Sequence, residues 1–160
     1  VRFAPLVTSG GEVLDLACGG GRHGRLFLDR GHKVTLLDRD LAGVADLRGR
    51  ADAELIEADI EAGPWPLHGR RFAGIVVTNY LWRPLKPQIL SALGSGGVLI
   101  YETFMAGNER FGKPSSPDFL LQPDELFDWC RDGGLNVRAF EQGEDGHAVR
   151  QRICAMKGAA

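Results

Sequence analysis

The chain has 160 residues, 44% of them hydrophobic and 25% charged, with a net charge of −2. That length suits one domain over residues 1–160 with a core large enough to need no disulfide staples. The balanced charge offers no basic excess for nucleic acid or anionic membranes, and no apolar run reaches the ~20 residues of a membrane-spanning helix. Three scattered cysteines, Cys18, Cys130 and Cys154, have no metal-ligand spacing. They read as reduced thiols in a cytoplasmic protein. Val1 stands where Met would open a chain, so trimming upstream is expected.

Apolar runs alternate with helical patterns. The expected elements are a strand over Glu12–Ala17, a helix over Arg22–Arg30 stopped by Gly31, and a strand over Lys33–Asp38. A second helix over Leu41–Leu47 and a third strand over Glu54–Ala58 follow. After the Gly/Pro-rich link Gly63–Gly69 come a strand over Ala73–Thr78, a helix over Pro87–Leu93 stopped by Gly94, and a strand over Gly97–Tyr101. Pro123–Arg131 has Pro where a first helical residue favours it, with acids in the first turn. Asn136–Glu141 and Val149–Met156 are two final strands joined by the turn-rich Gly143–Gly146, with no helix between them. Strand–helix alternation predicts a parallel sheet covered on both faces, finished by an antiparallel hairpin. Phe104–Gln122 reads as one long structureless loop, a length associated with function or mobility.

The most informative stretch is Val13-Leu-Asp-Leu-Ala-Cys-Gly-Gly-Gly21. It reads as a buried strand, a glycine turn and a helix start. A charge at Asp15 inside such a strand costs several kcal/mol unless it is paired. It is therefore expected near the strand's carboxyl end, against a polar ligand or backbone N–H groups. In an open parallel sheet a ligand lies beyond those carboxyl ends. Gly19, Gly20 and Gly21 allow close backbone approach. Asp38 ends the second strand, where a carboxylate can take both ribose hydroxyls. Asp59 and Ile60 follow the third strand, placed for an adenine amine and ring face. Thr78, Asn79 and Tyr80 end the fourth, under the reactive end of such a ligand.

Gly19-x-Gly21-x-x-Gly24 with Asp38 downstream also fits the dinucleotide fingerprint, so an NAD(P)-dependent oxidoreductase is one alternative. Asp15 in the first strand, the short chain and the antiparallel finish argue against it. A non-catalytic cofactor-binding module is the other alternative.

The Val13–Gly21 motif with Asp38 and Asp59 resembles the cofactor site of class I S-adenosylmethionine-dependent methyltransferases, and Gly96–Ile100 resembles their fifth strand. Within that family the chain is most similar to small bacterial enzymes of the tellurite-resistance type. The resemblance covers roughly Gly11 to Met156. It implies an α/β, three-layer Rossmann-like fold with a mostly parallel seven-stranded sheet in the order 3-2-1-4-5-7-6, the last strand antiparallel. It implies methyl transfer from S-adenosylmethionine to a small-molecule acceptor. Asp15 and the loop Ala17, Cys18, Gly19, Gly20, Gly21 would hold the methionine part. Asp38, with Arg39 beside it, would hold the ribose, Asp59 and Ile60 the adenine, and Thr78 or Asn79 would lie near the sulfonium. Ala17 departs from the family, where glycine is common. Tyr80, Trp82, Tyr101 and Glu102 are expected to shape the acceptor pocket, with Arg83 or Arg110 available to an anionic acceptor. No general base stands out, and no metal is implied. His23 reads as a surface or ligand-edge residue.

Overall fold

The computed structural model describes residues 2–160. Seven strands form one sheet: β1 (Val13–Leu16), β2 (Val34–Asp38), β3 (Ala53–Glu57), β4 (Phe72–Thr78), β5 (Leu93–Phe104), β6 (Asn136–Glu144) and β7 (Val149–Met156). Their order is β3-β2-β1-β4-β5-β7-β6, as the resemblance implies. β1 to β5 run parallel, and β7 is antiparallel to both β5 and β6. Three α-helices accompany them: α1 (Arg22–Leu28), α2 (Lys86–Ala92) and α3 (Glu125–Asp132).

The central strands are apolar on both sides because helices cover both faces. Leu14, Leu16, Leu37, Ile75, Val77 and Leu99 pack with Ile89 of α2 and Leu126 and Cys130 of α3 in one core. Val13, Val34, Leu36, Val76 and Val98 pack with Phe27 and Leu28 of α1 in a second. Burying one such leucine or valine contributes about 1.5–3 kcal/mol. The result is a three-layer α/β structure with the carboxyl ends of β1 to β5 on one edge.

Local differences from the expected elements have identifiable causes. Residues Ala42–Leu47 form a 3-10 helix, not an α-helix. Asp40 Oδ1 accepts the Ala42 N–H at 2.8 Å, tightening the entry. Gly43 lies so close to the β1–α1 loop that a Cβ there would come within 2.9 Å of the Gly19 carbonyl oxygen. Pro123 is not the first residue of α3, which starts at Glu125. Asp124 intervenes at φ 62°, held by a reciprocal pair of hydrogen bonds with Gln142. The side chain of Gln151, from β7, accepts the Leu126 N–H and so satisfies a donor at the helix start. α2 gives way to β5 at Leu93, before Gly94.

The segment from Phe104 to Gln122 is not structureless. It carries 3-10 turns at Asn108–Arg110 and Pro117–Phe119, and Met105 bridges to Leu121. Asn108 is buried, accepting the Val149 N–H at 3.1 Å and donating to the Pro114 carbonyl at 3.1 Å. Arg83 grips the segment from below through the Asp118 and Leu120 carbonyls.

Candidate active site

The β1–α1 loop is built on three residues with left-handed backbones: Ala17 at φ 55°, Gly19 at 51° and Gly21 at 69°. At Gly21 a side chain is also sterically barred, since a Cβ would meet Val44 Cγ1 at 2.5 Å. The turn brings the chain from β1 directly into α1 with backbone N–H groups gathered around two carboxylates.

Asp15 is buried, and its Oδ2 accepts the Gly24 N–H at 2.7 Å. Desolvation raises its pKa to about 7. The Gly24 bond opposes that rise, and the neighbouring charge of Asp38 adds to it. Asp38 Oδ2 accepts the Gly19 N–H at 2.8 Å, and Oδ1 accepts the Asp40 N–H at 3.2 Å. The two acids, one from β1 and one from β2, thus hold N–H groups of the same loop-to-helix turn, at Gly19 and Gly24. Cys18 sits between them. Burial, then the charges of Asp15 and Asp38, pushes its thiol up to about 12, so it is not a thiolate nucleophile.

A cavity of about 370 Å³ opens where these strands end. Ala17, Asp38, Arg39, Asp59, Ile60, Asn79 and Tyr80 all border it, drawn from the ends of β1, β2, β3 and β4. Asp59 is anchored by its own turn: Oδ1 accepts the Glu61 and Ala62 N–H groups at 3.0 Å each, which holds its carboxyl below the usual range. The lining includes three carboxylates, Asp38, Asp59 and Glu61, and one guanidinium, Arg39. That balance suits a ligand carrying positive charge.

The other expected residues are placed as follows. Asp15 stands behind the loop and does not border the cavity. Asn79 does, at φ 55°, but its side-chain oxygen is taken by Arg150 Nη1 at 2.7 Å. Thr78 points to the α1 face of the sheet, where its Oγ1 lies 3.4 Å from His23 Nδ1. Tyr80 donates to Glu61 at 3.1 Å, and burial followed by that acid raises its phenol. Tyr101 is a core residue whose hydroxyl donates to the Tyr80 carbonyl at 2.7 Å. Trp82 packs against the first core. Glu102 pairs with Arg152 at 3.0 Å and Arg150 at 3.5 Å. Both arginines expected to serve an anionic acceptor are paired with acids. Arg83 makes a two-pronged pair with Glu125 at 2.8 and 2.9 Å, and Arg110 pairs with Glu144 at 2.8 Å. Among the described residues, no group of His, Cys, Asp or Glu has a metal-holding arrangement.

Sequence reasoning missed Phe119, Glu61 and Gly43. Phe119 stands 44% exposed on the β5–α3 segment and reaches back to border the cavity from far along the chain. No local signal marks that return. Glu61 was within reach, two residues after Asp59 in the same turn.

A profile of the methyltransferase-domain family matches residues 13–95, more than half of the chain. The chain belongs to this family, whose members use S-adenosylmethionine as methyl donor. The matched region holds the β1–α1 loop, Asp38, Asp59 and the end of β4, so the nicotinamide alternative falls away. Among solved structures, the chain is similar to an S-adenosylmethionine-dependent methyltransferase from Methanosarcina mazei. The TM-score is 0.75 at 14% identity, covering 99% of this chain and 98% of that one. It is similar to TehB from Haemophilus influenzae, with TM-score 0.77 and 18% identity over 98% of this chain but only 60% of TehB. A third similar structure is the Burkholderia thailandensis 1,6-didemethyltoxoflavin-N1-methyltransferase, with bound 1,6-didemethyltoxoflavin and S-adenosylhomocysteine. Its TM-score is 0.67 at 16% identity, covering 99% and 79% of the two chains. At these identities the likeness establishes the shared fold. No curated protein matches the sequence.

Proposed function

We propose that this chain, folded as one domain, moves a methyl group from S-adenosylmethionine to a small-molecule acceptor, with the cofactor seated in the 370 Å³ cavity. The observation that carries this reading is the convergence of Ala17, Asp38, Asp59 and Ile60 on one opening from three strand ends. In this reading the ribose hydroxyls donate to Asp38, the adenine lies against Ile60 with its amine toward Asp59, and Arg39 closes the outer side. The methionine part follows the loop from Ala17 to Gly21, within the field of Asp15. Asn79 marks the sulfonium end.

The chemistry asked of the protein is modest. An electron-poor methyl on a sulfonium transfers by in-line displacement, so alignment and exclusion of water supply most of the rate. Carboxylates near the cofactor stabilise its cation. A small acceptor fits a chain with no basic stripe, and the toxoflavin-type enzyme of the same fold binds a small heterocycle. No helix among the described residues is long and apolar enough to cross a membrane. A cytoplasmic setting agrees with the free cysteines Cys18, Cys130 and Cys154.

Equilibrium calorimetry with S-adenosylmethionine, S-adenosylhomocysteine and NAD on the full chain tests the cofactor. Binding of the first two and not of NAD is expected; the reverse preference overturns the proposal. Appearance of S-adenosylhomocysteine on incubation with pooled small metabolites separates an enzyme from a silent binding module.

A further inference from the structure

A second cavity, of about 230 Å³, lies on the α1 face of the sheet and has no part in the cofactor site just described. Its position is what makes it informative. Thr78 of β4 borders it, and the next residue, Asn79, borders the first cavity. His23 of α1, two residues after the glycine loop ends, forms part of the same wall. Thr78 and Asn79 are consecutive, so the two cavities open on either side of the end of β4, where the sulfonium is placed.

We propose that this second cavity receives the methyl acceptor and that His23 Nε2 takes the proton which the acceptor gives up. The proposal rests on the methyltransferase reading above and names the acceptor class for it. Leu26, Val76, Ile100 and Phe140 give the cavity apolar walls. Its charged groups come in opposite pairs, Glu102 with Arg152 at 3.0 Å and Arg2 with Glu141 at 3.1 Å. A wall of that kind fits an uncharged, mostly apolar small molecule carrying one ionisable X–H, such as a phenol, thiol or azole. The volume lies below the roughly 300–1,000 Å³ of drug-sized sites, which limits the acceptor to about a ring or two.

The imidazole is set for this task. Its Nδ1 lies 3.4 Å from Thr78 Oγ1, and the proposal takes the tautomer whose Nδ1–H donates to that oxygen, which makes Nε2 the acceptor. Nε2 has no hydrogen-bond partner among the described residues. Desolvation first, then Arg22 on the same helix, lowers the His23 pKa, while Glu102 across the cavity opposes them. Arg152, Glu141 and Arg2 face the cavity from β7, β6 and the N-terminal segment in the neutralising pairs above. The ring is therefore neutral, and able to accept, at neutral pH. In the step, the lone pair on X attacks the methyl carbon and the X–C bond forms. The C–S bond breaks with its electrons passing to sulfur, leaving S-adenosylhomocysteine, and the X–H proton moves to Nε2.

The test uses the 160-residue chain with phenol, thiophenol and imidazole as probe acceptors. Calorimetry first establishes that the wild type binds S-adenosylhomocysteine; failure there removes the methyltransferase reading and this inference together. With the cofactor product bound, at least one probe should shift the NMR signals of His23, Leu26 and Ile100. Methyl transfer to that probe should fall at least ~10²-fold in His23→Gln, with S-adenosylmethionine affinity within twofold of wild type. The wild-type rate should decline on the acid side of neutrality, below the ordinary imidazole value of 6.5, and the variant should lose that decline. Ala139→Trp, at the sheet edge of the cavity, should raise the probe KM at least tenfold with cofactor affinity unchanged. Three results would overturn the inference given a bound cofactor product: no probe disturbs these signals, His23→Gln keeps the wild-type rate and pH profile, or Ala139→Trp leaves KM unmoved.

Discussion

Replacing Asp15 by Asn separates the energetic cost of this carboxylate from its use. Asp15 is only 4% exposed, and its pKa is raised from the ordinary 3.8 to about 7, chiefly by desolvation. The folded state therefore holds this proton more tightly than the unfolded chain. The stability it lends is fully present below pH 3.8 and is lost as pH rises towards 7 and past it. A gap of that size corresponds to roughly 4 kcal/mol. Asn cannot ionise, and its side-chain oxygen can still accept the Gly24 N–H. Urea unfolding of both proteins at pH 4.5 and pH 8 should show the Asn variant gaining on wild type by about 3 kcal/mol between the two, the part of that gap above pH 4.5. Its affinity for S-adenosylmethionine should fall, because a neutral amide gives up attraction to the cofactor's cation. Stability and binding moving in opposite directions identifies a group retained for its ligand. A stability difference that does not change with pH, or unaltered cofactor affinity, would refute the reasoning.

Three further substitutions probe other parts of the structure. Asp38→Ala removes the proposed ribose acceptor and frees the Gly19 N–H, so S-adenosylmethionine affinity by calorimetry should drop at least tenfold, about 1.4 kcal/mol. Ala17→Gly relieves a left-handed alanine at φ 55°; that strain is worth about 1–2 kcal/mol, and glycine returns about 0.5–1 of it as chain entropy. A thermal-melt increase corresponding to about 0.5–1 kcal/mol is expected, and no increase would show the turn to be unstrained. Asn108→Ala leaves the buried Val149 N–H unpaired, at a cost of about 1–3 kcal/mol in urea unfolding. It should also increase hydrogen exchange across the Met105–Leu121 bridge, whereas unchanged exchange would mean that Asn108 does not hold the segment.

What was legible in the sequence is what local physics encodes. β1, β2 and β4 announce themselves as short apolar runs, and the glycine turn follows from backbone φ values that glycine reaches without cost. Asp38 and Asp59 stand out because strand ends in a parallel sheet face the ligand edge. Ala17 departs from the family pattern, and its φ of 55° supplies the reason glycine is common there. What stayed hidden depends on contacts distant along the chain. Pro123 reads as a helix start, but Gln142 and Gln151 from the last two strands set where α3 begins. Leu41–Leu47 has an α-helical pattern, yet packing of Gly43 on the glycine loop goes with a tighter helix. Arg83 looks available in sequence because Glu125, its partner, lies 42 residues away. Phe119 reaches the cavity only because the β5–α3 segment folds back on itself.

The most direct measurement is a crystal structure of the full chain with S-adenosylhomocysteine. The account predicts the adenosyl group in the cavity bordered by Ala17, Asp38, Asp59 and Ile60, both ribose hydroxyls about 3 Å from the Asp38 carboxylate. Density for the ligand elsewhere, or a ribose turned away from Asp38, would contradict it.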